Sequence, residues 1–279
     1  MVSYALPHQV SAIKKLWKEV FHDSDLFLDA FFTNIFKPNQ CLVSTENDEL
    51  CAAMQLLPYA YCDKGKTYKA VYIYAVMTKP EKRKAGHMAA LFQVAFEELH
   101  KQQIELVFLI PQTEGLREMY SKFGFKSAFT QARKTLQLPL FNQQAILPTT
   151  HDAYAFYLEV MSLHKTVVQT YKQFEFVYKS ILQEGGELLA MQNNATVEAI
   201  CFVLPHQKAV RVLDVVALNQ PAFERMLGAV STKYNVSEAI VSSYLLPENN
   251  YIGMAQLLQP TNLQFKSVQT AYLSLMLNE

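Results

Sequence analysis

The stretch from Val71 to Leu99 constrains the fold of this chain more than any other. An apolar run, Val71-Tyr72-Ile73-Tyr74-Ala75-Val76-Met77, leads into Lys82-Arg83-Lys84-Ala85-Gly86-His87, and then Met88, Leu91, Phe92, Ala95, Phe96 and Leu99 recur at helical spacing. The pattern predicts a strand, a basic glycine turn and a helix. The N–H groups of a first helical turn lack partners within the helix, and the helix dipole adds partial positive charge, so such a turn can hold a phosphate. Gly86 permits close backbone approach, and Lys82, Arg83 and Lys84 supply mobile charge. A solvated loop has the same composition, so the surroundings decide.

Beyond the helix the sequence predicts a second strand over 104–110, stopped by Pro111, and a short helix over 114–123 that ends in Gly124-Phe125. The order strand, Arg83-x-x-Gly86-x-x turn, helix, strand, then Leu116-x-x-x-Tyr120-x-x-Phe123-Gly124-Phe125 resembles the GNAT superfamily of N-acetyltransferases. The resemblance implies acetyl-CoA as cosubstrate. Its pyrophosphate would lie on Arg83, Lys84, Ala85, Gly86, His87 and Met88, and its pantetheine arm beside Ala75, Val76 and Met77. The superfamily turn usually closes with Gly or Ala where this chain has Met88, and Pro111-Gln112-Thr113 stands where an asparagine is frequent. The chain also resembles the tandem subgroup related to acetyltransferases of the enhanced-intracellular-survival type, which carry two GNAT-like domains.

Length permits that arrangement: 279 residues, 51% of them hydrophobic, suffice for two ordinary cores. Lys plus Arg and Asp plus Glu both number 25, and no basic run occurs, which argues against nucleic acid as the main partner. Cys41, Cys51, Cys62 and Cys201 are scattered, with no Cys-x-x-Cys and no histidine at ligand spacing in the sequence, so they read as reduced thiols and no zinc site is expected. The opening residues show no charged leader with an apolar run, and no segment approaches membrane-spanning length. A cytoplasmic protein without membrane contact is expected; a homo-oligomer is compatible with the sequence.

Along the chain, Val10, Ile13, Leu16, Trp17 and Val20 form one helical stripe, and Asp23-Ser24-Asp25 breaks it and caps a second helix with Leu26, Phe27, Ala30, Phe31 and Ile35. The resemblance makes these two helices the roof of the acceptor site; aromatic residues at this spacing also suit a plain core. Strands over 41–44 and 50–57 join through Glu46-Asn47-Asp48, and residues 127–138 read as the last strands of a first domain, followed by a linker over 139–148. The second half repeats landmarks of the first: Lys69-Ala70-Val71 recurs as Lys208-Ala209-Val210, Leu57-Pro58 as Leu204-Pro205, Leu109-Ile110-Pro111 as Leu245-Leu246-Pro247, and Asn47-Asp48 as Asn193-Asn194. Its helix over 223–234 has no Arg-x-x-Gly turn, and Asn249 to Met254 stand where the tyrosine helix should be.

The expected fold is therefore α/β in the α+β sense: two tandem GNAT-like domains, 1–138 and 149–279, with mixed, mostly antiparallel sheets flanked by helices, and a degenerate second copy without the CoA motif. The expected activity is direct transfer of an acetyl group from acetyl-CoA to a primary amine of a small molecule or peptide. The resemblance gives Tyr120 the role of general acid for the departing thiolate; as a residue sharing a face with Leu116 and Phe123 it would otherwise be core. The base stays open among Glu114, Tyr72, Tyr74 and the terminal carboxylate of Glu279, and His87 reads as a neighbour of phosphate or solvent rather than a catalyst. A non-catalytic acyl-CoA sensor is the alternative reading.

Overall fold

The computed structural model describes residues 1–140, 144–194, 196–206, 209–247, 250–258 and 260–274. In chain order the elements are β1 (Val2–Tyr4), α1 (Val10–Phe21), α2 (Asp25–Asn34), β2 (Cys41–Glu46), β3 (Glu49–Asp63), β4 (Lys66–Thr78), α3 (His87–Lys101), β5 (Leu106–Leu109), α4 (Glu114–Ser121), β6 (Lys126–Ser127), β7 (Phe129–Gln131) and β8 (Arg133–Gln137). They continue as α5 (Thr150–Met161), β9 (Thr166–Val168), α6 (Tyr171–Gln183), β10 (Glu187–Asn193), β11 (Thr196–His206), β12 (Ala209–Ala217), α7 (Gln220–Tyr234), β13 (Glu238–Ser242), β14 (Asn250–Tyr251), β15 (Met254–Leu257), α8 (Phe265–Val268) and β16 (Ala271–Leu273). No described helix is long and apolar enough to cross a membrane.

The chain packs as two units, one of 1–60, 68–127 and 253–266, the other of 61–67, 128–252 and 267–279. This division departs from the expected 1–138 and 149–279. Residues 133–137, expected among the last strands of the first domain, pair antiparallel with β13. The strand that follows β5 in the first unit is instead β15, antiparallel to both β5 and β6. Strand pairing is decided by partners distant in sequence, and nothing local in 254–257 announces the strand's neighbours.

In the first unit β1, β2 and β3 are antiparallel neighbours, and β4 runs parallel to β5. The cap expected at 23–25 is supplied by Ser24, whose Oγ accepts from the Phe27 N–H at 3.2 Å, and Thr113 Oγ1 caps α4 by accepting from the Leu116 N–H at 3.2 Å, each relieving one unpartnered donor. Ile13, Leu16 and Trp17 of α1 are buried, as their spacing requires, whereas on α2 Phe31 is buried with Leu28, and Leu26, expected in the stripe, faces solvent. On the opposite side α3 lays Leu91, Phe92, Ala95 and Leu99 against Leu42, Ala52, Met54, Val71 and Ile73 of the sheet. Each such leucine or phenylalanine contributes roughly 1.5–3 kcal/mol by leaving water.

The second unit holds a five-stranded sheet in the order β10, β11, β12, β13, β8, with α7 buried through Ala222, Phe223, Met226, Leu227 and Val230. Its central strands repeat those of the first. Residues Ala70, Val71 and Tyr72 pair in parallel with Leu106, Val107 and Phe108, and Val210, Arg211 and Val212 pair in parallel with Ala239, Ile240 and Val241. The offset of the repeat, 208 − 69 = 139, carries Ala75 onto Asp214. Both have left-handed backbones, φ 47° and 48°, three and two residues beyond the last parallel pair of their strands, so each copy carries an irregularity close to where its pairing ends.

Past that irregularity the two copies differ. Beyond the Tyr72–Phe108 pair no residue of β4 is paired with β5 among the described residues. In the second copy the Asp214 N–H donates to Ser242 Oγ at 3.1 Å, Ser243 Oγ donates to the Val215 carbonyl at 2.6 Å, and the Tyr244 hydroxyl donates to the Ala217 carbonyl. Side chains thus occupy the backbone groups that an inserted ligand would use. The Asp214 carboxylate, buried, accepts from the Tyr272 and Ser274 hydroxyls at 2.8 and 2.6 Å. Asp214→Ala leaves those buried donors without this acceptor, and a loss of about 2–3 kcal/mol in urea unfolding is expected, with Asp214→Asn losing less.

Candidate cofactor and active site

The basic turn enters α3 through Gly86, whose φ of 85° is left-handed, two residues after Lys84 at 65°. The reversal turns the chain so that Ala90 is the first helical residue whose N–H reaches back to the Gly86 carbonyl, at 3.0 Å. Among the described residues no acceptor takes the backbone N–H of Lys84, Ala85, Gly86, His87, Met88 or Ala89. Lys84, Ala85 and Gly86 are exposed, and a Cβ built on Gly86 meets no heavy atom within 4 Å. Six consecutive donors at a helix N-terminus, with open space over the glycine, suit an anion with several oxygens.

The charge around this turn is divided. Lys82 is ion-paired with Glu46 and Lys79 with Glu49, so of the three basic residues assigned to the turn from sequence, Lys82 is not mobile. Arg83 and Lys84 are exposed and have no ion-pair partner among the described residues. Met88 turns inward and packs with Val76 against the core of the first unit, so its bulk does not crowd the turn. His87 begins α3, half-buried, with Nδ1 3.0 Å from Ser44 Oγ. An open depression of about 370 Å³ touches the turn at Ala85, Gly86 and His87 and continues along Ser44, Ala90 and Val94, on the flank away from the gap between β4 and β5.

The left-handed residue Ala75 lies three residues beyond the last β4–β5 pair and is half-buried, as is Val76; Met77 is buried. Two parallel strands that part in this way leave one edge of β4 without a partner, and an extended amide chain can add to such an edge.

Tyr120 sits on α4 between the Phe92 and Phe125 rings, with centroids 5.9 and 6.2 Å away, and Phe92 stacks on Phe123 at 4.6 Å. The motif Tyr120-x-x-Phe123-x-Phe125 therefore clasps α3 at Phe92. Burial pushes the Tyr120 phenol up to about 12. The residue is part of the core, and its hydroxyl has no hydrogen-bond partner among the described residues.

The other expected participants fare differently. Glu114 is exposed in the first turn of α4 and ion-paired with Arg117 at 3.4 Å. Tyr72 stacks on Phe108 at 5.0 Å, and Tyr74 packs on Trp17 and Phe31, its phenol raised well above the usual value by burial. Glu279 lies outside the described residues. One residue that sequence reading treated only as a helix breaker is in place: Asp23 accepts from Trp17 Nε1 at 2.8 Å, and its charge reaches the Tyr74 hydroxyl. No sequence signal separates it from Asp25, which pairs with Lys18.

Residues 2–128 match the family model described as an acetyltransferase (GNAT) domain. No curated protein matches the sequence. Among solved structures, the fold is similar to a conserved protein from Enterococcus faecalis V583 described as a probable N-acyltransferase, at TM-score 0.79 and 14% identity, covering 93% of this chain and 73% of that one. Eis1 from Mycobacterium abscessus is similar at TM-score 0.72 and 10% identity, covering 93% and 74%. A tandem GNAT protein from the clavulanic acid biosynthesis pathway is similar at TM-score 0.53 and 10% identity, covering 94% and 100%. The glycine turn, the parting strands and the Tyr120 helix all fall within the matched 127 residues, so the segment 2–128 carries the GNAT acetyltransferase domain by family match, and over most of its length the chain shares the fold of these solved structures.

Proposed function

We propose that the chain transfers an acetyl group from acetyl-CoA to a primary amine, with the chemistry in the first GNAT-like domain and none in the second. The observation that carries this reading is the run of six N–H groups from Lys84 to Ala89 and the Arg83 guanidinium that have no partner among the described residues, after a strand whose pairing with its neighbour stops at Tyr72. Among the described residues the second copy lacks such a turn, and side chains of Ser242, Ser243 and Tyr244 occupy backbone groups of its strand. Only Leu218 and Asn219 separate β12 from α7, Asn219 caps the helix with its own side chain by accepting from the Ala222 N–H at 3.0 Å, and Pro221 has no N–H to offer.

The pyrophosphate would accept hydrogen bonds from the turn and charge from Arg83 and Lys84, and the pantetheine amides would bond to β4 along Ala75, Val76 and Met77. A β4 N–H near Val76 or Met77 would polarise the thioester carbonyl. The neutral amine attacks the carbonyl carbon, a C–N bond forms and the carbonyl pair moves to oxygen. Collapse of that intermediate breaks the C–S bond and leaves the pair on sulfur. With the Tyr120 phenol near 12 and an ordinary thiol near 8.5, full proton transfer in isolation is uphill by roughly 5 kcal/mol. The phenol therefore starts as a hydrogen-bond donor to sulfur, and its proton passes over as the proton lost by nitrogen restores the phenol. Acyl-CoA sensing without turnover is the second reading, favoured by one observation: Glu114 is spent on Arg117 and the Tyr72 and Tyr74 side chains are buried, so no strong base stands out among the described residues.

Calorimetric titration of acetyl-CoA tests the reading. One equivalent bound by the wild type, with Arg83→Ala about tenfold weaker, is the expected result, since a charge-assisted hydrogen bond to phosphate contributes about 1.5–3 kcal/mol in favourable geometry. Absence of binding would overturn both the enzyme and the sensor. Release of free thiol on addition of primary amines then separates the two.

A further inference from the structure

The register of β2 and β3 slips between Ser44 and Thr45: Ser44 lies opposite Ala52 and Thr45 opposite Leu50, so Cys51 is an extra, bulged residue on β3. A bulge re-aims a side chain, and this one sets the Cys51 thiol with residues of β2 and of the first turn of α3. One ligand atom each from Glu46, Cys51 and His87 lie within 4.8 Å of one another. These are a carboxylate oxygen, a sulfur and an imidazole nitrogen, from positions 46, 51 and 87, and no sequence spacing suggests them as a set.

From this convergence we propose that Glu46, Cys51 and His87 form a three-ligand site for a thiophilic divalent cation of the zinc class, independent of the acetyl-CoA reading. Sulfur and imidazole select such ions over magnesium or calcium, and three protein ligands leave the fourth tetrahedral position to water. Ser44 Oγ, 3.0 Å from Nδ1 of His87, is the outer partner that fixes a metal-binding imidazole, and leaves Nε2 to the cation. Cys51 is held inside the protein with its thiol 3.5 Å from the Glu49 carbonyl, a weak contact that a metal–sulfur bond would replace. On binding, the thiol proton is released to solvent, the thiolate forms the metal–sulfur bond, and the cation takes the place of the Lys82 ammonium at Glu46.

Cobalt(II), a spectroscopic stand-in for zinc, is titrated into the full chain with excess magnesium present. One equivalent bound with a near-ultraviolet sulfur-to-cobalt band is expected. Cys51→Ser should abolish the band, Glu46→Gln and His87→Gln should weaken binding at least tenfold, and Ser44→Ala should weaken it about tenfold while retaining the band. Lack of stoichiometric binding overturns the proposal, as does a band that Glu46→Gln and His87→Gln leave unchanged. Glu46 is exposed, so its variant keeps the test decisive if Cys51→Ser does not fold.

Discussion

Gly86→Glu is expected to weaken acetyl-CoA binding at least a hundredfold while leaving the domain folded. Three effects add. The left-handed φ of 85° costs an L-residue about 1–2 kcal/mol, which is relieved by moving the turn and spoiling the alignment of its donors. The new side chain projects into the open space over the turn, where the phosphate oxygens would lie. Its carboxylate then opposes a dianionic group at a few ångströms, and each 1.4 kcal/mol of that repulsion is another factor of ten. Gly86→Ala separates the parts: no heavy atom opposes its Cβ, so only the backbone term remains and a loss of up to about tenfold is expected. Calorimetry gives the affinities and a thermal melt shows that the fold is intact. Equal affinity of wild type and Gly86→Glu would remove the turn from the cofactor site.

Tyr120→Phe is expected to lower kcat by about a hundred- to ten-thousandfold, with the KM for acetyl-CoA changed less than threefold. The ring contacts with Phe92 and Phe125 survive the substitution, so packing and stability are retained and the lost group is the hydroxyl alone. The pH profile adds a readout that packing would not move. Because burial holds the phenol near 12, Tyr120 remains protonated throughout the neutral range and its titration sets neither limb of the wild-type profile. Removing it should lower the plateau and leave the acid limb, which reports deprotonation of the amine or its base, where it was. A variant with full kcat would leave Tyr120 as a core residue and assign the thiolate's proton to another donor.

The elements that sequence reading placed correctly are those fixed by neighbours in the chain. Gly86 enters α3 because only a residue tolerant of positive φ makes that reversal cheaply, and Ser24 caps its helix through a contact three residues away. The stripe on α3 and the Tyr120-x-x-Phe123-x-Phe125 clasp follow from helical periodicity and from aromatic rings seeking burial. The repeat of the first half in the second was legible as short matches at a near-constant offset, and the parallel pairs of β12 with β13 reproduce those of β4 with β5.

What the sequence determined by itself was thus the local order: strand, glycine turn, helix, strand, tyrosine helix, and the loss of the turn in the second copy. The tertiary structure decided the rest. It put β15 beside β5 and β8 beside β13, tied Lys82 to Glu46, turned Met88 inward, and filled the second copy's strand gap with Ser242, Ser243 and Tyr244. It also brought Glu46, Cys51 and His87 together through a one-residue slip in register. The physical reason is common to all of these. Turns, caps and helical faces are settled by groups within about four residues of one another, whereas strand neighbours, ion pairs and ligand clusters depend on contacts between distant segments, which form only when the whole chain closes on itself.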